Sequence, residues 1–411
     1  MSGLPLSDVK VLDLTRLLPG GFCSLLLADL GAEVLKVEDT GMGDYIRWAP
    51  PYYGSEEQQS LGTRSSLYLS LNRGKRSIRL DLKQEQGREA LLRLLADHDV
   101  VLDGFRPGVL DRLGVGYESM RETNPRTVFC AITGYGQDGP YAQRAGHDMN
   151  YLGLVGVLGL TGAKDGSPVQ SAGQIADLGG GALMAAFGVM AALHERERSG
   201  EGQMVDISMA DGALSWLAMV AGRYFCDGEV PRRGEQMLAG GALCYLPYEV
   251  ADGWITCGAL EPKFWAAFCD GVGRPDLIEK QFEAPGSEAW QQVAEVFRSR
   301  TREEWQAFND ERDCCIEPVL DLDEALDSEL VRAREMVTEI EQPELGTVRQ
   351  LGNPVKLSRT PADPTRRAPA FGEHTDEVLA EVGYSAEEIE AMKASGAAAG
   401  AAAAQQGEFR A

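Results

Sequence analysis

The chain has 411 residues, 44% of them apolar and 25% charged, a length and balance that suit two compact domains with a large core. Its 39 Lys and Arg against 63 Asp and Glu give a net charge of −24, which argues against nucleic acid and anionic membrane as partners. A small anionic ligand, held by a local basic cluster, stays open. Eight cysteines are scattered without a Cys-x-x-Cys pair or a zinc spacing, as expected of buried free thiols in a reducing compartment, here taken as the cytoplasm.

No basic segment followed by an apolar stretch opens the chain, so no signal peptide is expected. Val9 to Leu14 reads as a strand, followed by a glycine turn at Gly20-Gly21, a helix to Asp29 and a second strand from Glu33 to Val37. Residues 40–71 are rich in Gly, Ser, Pro and Tyr and read as a long loop over a ligand. Ser77 to Leu82, Asp99 to Leu102 and Thr127 to Thr133 predict further strands, with a helix over Gln84 to Ala96. This alternation predicts an open parallel sheet with helices on both faces, a Rossmann-like α/β domain over 1–210 with its ligand beyond the strand ends. Gly179 to Leu193 is the most apolar run; it is short for a bilayer and reads as a buried core helix.

The periodicity breaks over 211–239, which reads as a linker. A hairpin from Tyr245 to Val250 and Trp254 to Cys257 follows, then helices near Glu261–Val272, Ser287–Ser299 and Thr301–Asp310. Residues 240–330 are therefore expected to form a smaller α+β domain. Residues 331–393 are expected to return to the large domain, with a last helix near Ser385, and 394–411 to be a flexible Ala/Gly-rich tail.

Three residues are candidates for chemistry. His147, in Arg144-Ala-Gly-His-Asp-Met-Asn-Tyr151, follows a glycine-rich loop at a strand end, and histidine is the residue type suited to taking and returning protons. Asp177 precedes three glycines and the apolar helix. It reads equally as an N-cap or as a carboxylate beside backbone N–H groups that would hold a negative oxygen. Glu261, before Pro262, reads as a helix cap or as a carboxylate orienting a histidine. The basic run Asn72 to Arg79, with Lys75 and Arg76, and the Phe105-Arg106-Pro107-Gly108 turn are candidate phosphate contacts.

Ordered blocks identify a resemblance. They are Val11-Leu-Asp-Leu-Thr15, Ala28-Asp-Leu-Gly-Ala-Glu-Val-Leu-Lys-Val-Glu38, Arg73-Gly-Lys-Arg-Ser77, Phe105-Arg-Pro-Gly108, Gly134-Tyr-Gly-Gln-Asp-Gly-Pro140, Ser199-Gly-Glu-Gly-Gln203, Pro318-Val-Leu320 and Gly372-Glu-His-Thr375. From about residue 5 to about 395 the chain resembles the class III CoA-transferase (CaiB/BaiF) superfamily and, within it, the α-methylacyl-CoA racemases. The resemblance implies a Rossmann-like large domain, a small domain and an interlocked homodimer with active sites shared between subunits. It implies a 2-methylacyl-CoA racemase in which His147 and Asp177 exchange the 2-proton through an enolate, with Glu261 polarising His147. Lys75, Arg76, Arg106 and Tyr151 are the expected coenzyme A contacts. Coenzyme A is then part of the substrate, and no further cofactor and no metal is expected. The alternatives are a CoA-transferase using Asp177 as nucleophile, and a non-catalytic CoA-ester-binding protein. The first turn, Arg16-Leu-Leu-Pro-Gly20, lacks the transferase Gln, and only Gly240-Gly-Ala-Leu stands where formyl-CoA-type transferases carry a glycine-rich loop; both favour the racemase.

Overall fold

Alternation along the strands explains the larger part of the molecule. The computed structural model describes residues 3–54 and 62–401. Its main sheet contains β1 (Lys10–Asp13), β2 (Glu33–Glu38), β3 (Lys75–Leu80), β4 (Val100–Asp103), β5 (Val128–Thr133) and β6 (Met204–Ser208). A short β12 (Ala398–Ala399) closes one edge, and the order is β12-β3-β2-β1-β4-β5-β6. The first six strands pair in parallel; β12 runs antiparallel to β3. Leu12, Leu35, Val101 and Phe129 join the core on one face, while Val11, Val34, Val100 and Val128 join the core on the other. Both faces are covered, which is why these strands are near-continuously apolar. Each fully buried side chain of this kind contributes roughly 1.5–3 kcal/mol.

Two further sheets were only partly visible in the periodicity. β7 (Tyr245–Val250), β8 (Gly253–Gly258) and β9 (Ile316–Pro318) form an antiparallel sheet in the order β7-β8-β9. β10 (Val337–Gln342) and β11 (Gly346–Leu351) form a hairpin within the proline-rich return segment. The three-stranded sheet packs with helices Pro262–Gly271, Glu288–Arg298 and Arg302–Arg312. Phe297 stacks on Tyr248 at 4.5 Å and on Phe268 at 5.0 Å, and Trp305 lies 4.9 Å away. The indole N–H groups of Trp265 and Trp305 donate to Leu277 O and Phe297 O, so these large rings are buried without orphaned donors.

The described residues divide into two discontinuous compact units. One comprises the chain up to Leu152, Gly173–Ser215 and the chain from Leu330; the other comprises Gly153–Ala172 and Trp216–Glu329. The segment 211–239, read above as a linker, holds the end of helix Met209–Ser215 and helix Ala218–Asp227. Residues 153–172 join the second unit because Arg233 donates to Gly159 O at 3.0 Å and Gly166 O at 2.7 Å. Within 40–71, a 3₁₀ turn Tyr45–Trp48 and helix Ser66–Asn72 are ordered parts of the fold; residues 55–61 lie outside the described residues. The start of the expected flexible tail is a paired strand, β12, and 402–411 lie outside the described residues.

Ile175–Ser199 is one continuous helix of 25 residues, longer than the run Gly179–Leu193. By length and composition it meets the requirement for crossing a bilayer. Ala182, Ala185, Val189, Ala192 and Leu193 nevertheless lie in the core under the sheet. Its first nine residues, Ile175–Leu183, are π-helical. Gly180 there serves helix packing and does not open the backbone to a ligand. A Cβ on Gly180 would stand 2.7 Å from Met209 O, and one on Gly212 would stand 2.1 Å from Gly180 O, so two helices touch backbone to backbone.

Candidate active site

The candidate imidazole follows β5. The chain leaves Thr133 through Gly134, whose α-carbon faces the Tyr151 ring so closely that a Cβ there would lie 2.5 Å from Tyr151 Cε1. His147 ends this segment, exposed, immediately before helix Asp148–Leu154. Its backbone N–H donates to Asn150 Oδ1 at 3.0 Å, and Asn150 N–H donates back to His147 O at 2.8 Å. The imidazole makes no hydrogen bond or ion pair among the described residues.

Asp148, its neighbour, is the residue that the sequence reading missed. It is buried, and its Oδ1 accepts from Ala176 N at 2.6 Å and Asp177 N at 3.0 Å. A carboxylate here satisfies two orphan donors at the start of Ile175–Leu183 and complements the helix dipole. The same bonds join the residue after His147 to the backbone of Asp177, 29 positions away in sequence. An Asp directly after the only His in a glycine-rich strand-end loop was the available signal.

This arrangement corrects two expectations. Asp177 is not an N-cap: it lies inside the first turn, and Gln174 stands at the cap position. The N–H groups of Ala176 and Asp177 are also unavailable to a substrate oxygen, because Asp148 already occupies them. The Asp177 side chain is half-buried and makes no hydrogen bond among the described residues. Burial first, and the nearby Asp148 charge second, push its carboxyl up to about 6. A carboxyl with such a value exchanges protons readily near neutral pH.

Tyr151 lies beside this pair as a wall. It is buried, its ring meets Tyr135 edge-on at 5.1 Å, and its hydroxyl donates to Gly146 O at 2.5 Å. Burial, then the charges of Asp177, Tyr135 and Asp148, raise its hydroxyl well above the ordinary value, so it stays neutral. Arg106, exposed beyond β4, is close enough to oppose that rise, and its guanidinium has no ion pair among the described residues.

Sheet order adds a residue that spacing did not. The chain reverses direction across the sheet between β1 and β4, the position where open α/β sheets bind ligands. Arg16, just after β1, pairs with Asp39 at 2.7 Å and lies over the Phe105 ring at 5.6 Å. Arg106 borders the same crevice. Asp103, at the end of β4, is buried and burial pushes its carboxyl up to about 7.

Lys75 and Arg76 do not fit the phosphate role expected of them. Lys75 is buried, and its ammonium donates to Ser24 Oγ at 2.7 Å, Asn72 Oδ1 at 2.9 Å, Gly21 O at 3.2 Å and Asp13 Oδ2 at 3.3 Å. Burial pulls it down to about 8, with Asp13 opposing. Burial likewise pushes Asp13 up, but Lys36 and Lys75 outweigh it and hold that carboxyl at about 2. Arg76 is engaged by Glu33, Glu377 and Glu381 at 2.8–3.1 Å, a surround that repels an anion.

Glu261 belongs to the second unit. It is exposed, at the cap position of Pro262–Gly271, and its side chain makes no capping bond. The carboxylate is therefore not consumed by the helix end that the Glu-Pro pair predicted. Among the described residues, no three His, Cys, Asp or Glu side chains gather as a metal site.

Known proteins place this geometry in context. The model of CoA-transferase family III matches residues 6–375. An α-methylacyl-CoA racemase of Mus musculus is 39% identical over 394 residues, covering 93% of this chain and 95% of that protein. A succinyl-CoA:mesaconate CoA-transferase of Haloarcula marismortui is 36% identical over 390 residues, covering 92% and 96%. The crystal structure of a CAIB/BAIF family protein from Brucella suis superposes with a TM-score of 0.79 at 30% identity, over 93% of this chain and 100% of that one. With the family model matched over nine-tenths of its length, this chain belongs to CoA-transferase family III.

Proposed function

We propose that the protein is a 2-methylacyl-CoA racemase working by two-base proton transfer. The observation that carries this reading is the Asp148 bridge. It fastens the His147 segment to the turn bearing Asp177, whose unbonded carboxyl sits at about 6. One of these groups removes the 2-proton of the thioester; the other delivers a proton to the opposite face of the planar enolate. Polarising His147 is the role that the family resemblance assigns to Glu261, and Tyr151 bounds the site. The nucleotide end of coenzyme A lies in the crevice beyond β1 and β4, with Arg106 on its phosphates. The racemase of Mus musculus, at 39% identity over 93% of the chain, supports the same assignment.

We place the protein in the cytoplasm as a homodimer. Six buried unpaired thiols suit a reducing compartment. On helix Ile175–Ser199, Leu183, Phe187 and Met190 are 47%, 72% and 39% exposed on one stripe, an apolar face that a second copy would cover.

The test is incubation of one 2-methylacyl-CoA epimer in deuterated water. Epimerisation with deuterium entering at C2 is expected, and loss of both in His147→Ala and Asp177→Ala. No exchange with any ester rejects the reading. A CoA-transferase with Asp177 as nucleophile is the second reading, favoured by the 36% identity to the Haloarcula enzyme. A hydroxylamine-sensitive acyl adduct on Asp177, with activity retained in His147→Ala, would establish it instead.

A further inference from the structure

The first unit carries a second concave site at the other end of its sheet. The parallel strands β1, β2 and β3 begin at Lys10, Glu33 and Lys75. Beside these starts lies a half-open cavity of about 800 Å³, within the roughly 300–1,000 Å³ of small-molecule sites. Lys10, Glu33, Asp97 and His98 line it, and Leu35 and Val378 contribute to an apolar wall. Every lining residue belongs to this unit. His147 follows the far end of β5, so the cavity is separate from the candidate active site.

His98 indicates what the cavity takes. It is 7% exposed, and its Nδ1 lies 2.6 Å from Leu94 O in the last turn of helix Glu85–Leu95. A carbonyl only accepts, so Nδ1 carries the proton of that bond. Burial lowers the tendency of the ring to take a second proton. Nε2 is therefore a bare acceptor, and it is buried with no partner among the described residues. The backbone beneath the ring is fixed. His98 N–H donates to Leu95 O at 3.1 Å, and Asn124 Nδ2 donates to His98 O at 3.1 Å. The charges of Glu33, Lys10 and Asp97, all of them cavity residues, act on the ring. A buried acceptor in such a place requires a donor.

The surrounding charges select the kind of donor. Lys10 is paired with Asp97, and Arg76 with Glu33, Glu377 and Glu381 at 2.8–3.1 Å. Arg93 is paired with Glu89 at 2.6 Å and lies over the Tyr384 ring at 4.2 Å. Five carboxylates thus meet three cations, and the C-terminal end of helix Glu85–Leu95 adds the negative pole of its dipole. Glu33 and Asp97 each engage one oxygen in these pairs and keep the other. The groups left over are all acceptors. Among the described residues they do not gather as a metal site, so a compact ion is a poorer match than a longer cation bearing N–H groups.

We propose that this cavity is a second ligand site, and that it binds an aliphatic diamine. One ammonium donates to His98 Nε2, the other faces the carboxylates, and the methylene chain lies on the apolar wall. The ligand enters at the strand ends opposite the His147 loop, so it acts as an effector and not as a substrate.

The experiment uses the full-length protein with nitrogen-15 in its histidine rings, of which the chain has only four. The probe is 1,5-diaminopentane, compared with pentylamine, 1,5-pentanediol and magnesium chloride at matched ionic strength. Above neutral pH the diamine is expected to move one bare ring-nitrogen resonance upfield, saturably, as acceptance of a hydrogen bond requires. It should bind at least about tenfold more tightly than pentylamine, and the diol and magnesium should leave that resonance in place. The resonance should be missing in His98→Phe, with the calorimetric affinity for the diamine at least about tenfold lower. The titration of the parent protein needs no variant, so it decides the matter whether or not His98→Phe folds. Glu33→Gln should weaken binding about threefold. Glu118→Gln removes the same charge from an exposed position outside the cavity and should leave the affinity unchanged. An unmoved His98 resonance at saturating diamine leaves only solvent on Nε2 and overturns the proposal. An equal shift with magnesium, or equal weakening in Glu118→Gln and Glu33→Gln, shows diffuse attraction to an acidic protein and overturns it as well.

Discussion

Asp148 decides more of the candidate chemistry than its exposure suggests. Its charge both anchors the Asp177 backbone and, after burial, helps raise the Asp177 carboxyl. If ionised Asp177 is the base, kcat/KM should fall on the acid side with an apparent value near 6. Asp148→Asn removes the like charge, so that limb should move to lower pH, while kcat drops because the turn is less firmly held. A pH–rate profile of the variant checks both. Asp177 also has a stability signature. Its folded value lies above the ordinary 3.8, so the folded state retains a proton that the unfolded chain has lost between about pH 4 and 6. Stability from this group is full below pH 4 and falls as pH rises through 6. Ionisation then costs the fold ~2–3 kcal/mol, and Asp177→Asn should be more stable than the parent at pH 8 by about that amount, measured by denaturant unfolding. Lys75 makes the opposite case. Lys75→Ala leaves Asp13 buried with one cation fewer, and should lower stability by roughly 3–5 kcal/mol without a selective rise in KM for the coenzyme A ester.

At the scale of elements, the contact of Ile175–Ser199 with Met209–Ser215 positions Asp177 relative to the sheet. Gly180 and Gly212 permit it, since either Cβ would collide with backbone that no rotamer change can move. Gly212→Ala should therefore destabilise the protein by ~1–3 kcal/mol or more and reduce turnover. Gly222→Ala, inside helix Ala218–Asp227 with no neighbouring atom within 4 Å, should instead be neutral or stabilising by about 0.5–1 kcal/mol. Thermal unfolding of the pair separates a packing glycine from a merely permissive one. The same logic explains why the three glycines after Asp177 misled the reading of the sequence. Glycine next to a carboxylate serves ligand approach and helix crossing equally well, and only the partner helix distinguishes them.

At the scale of the molecule, two discontinuous units carry the candidate residues, with His147 and Asp177 in one and Glu261 in the other. The exposed stripe of Leu183, Phe187 and Met190 belongs to the same helix as Asp177. Sedimentation equilibrium should give twice the 44.5 kDa chain mass, and Phe187→Glu should shift the population toward monomer with parallel loss of activity. A stable monomer with full activity would contradict the dimer.

The parallel sheet was legible because buried strands must be continuously apolar and must alternate with helices; the predicted strand at Thr127 to Thr133 and the observed Val128–Thr133 differ by one residue. The hairpin of β7 and β8 was legible from its turn. His147 and Asp177 were legible as residue types, one in the loop that follows a strand and the other at the start of a helix. Tertiary structure decided the rest. A lysine among arginines reads as a phosphate contact until Asp13, 62 positions earlier, is seen to bond its ammonium. Asp148 reads as an ordinary helix-start residue until the amides 28 and 29 positions later converge on it. Partners at such separations leave no periodic trace in the chain, because hydrogen bonds and charges act through space and not along the backbone.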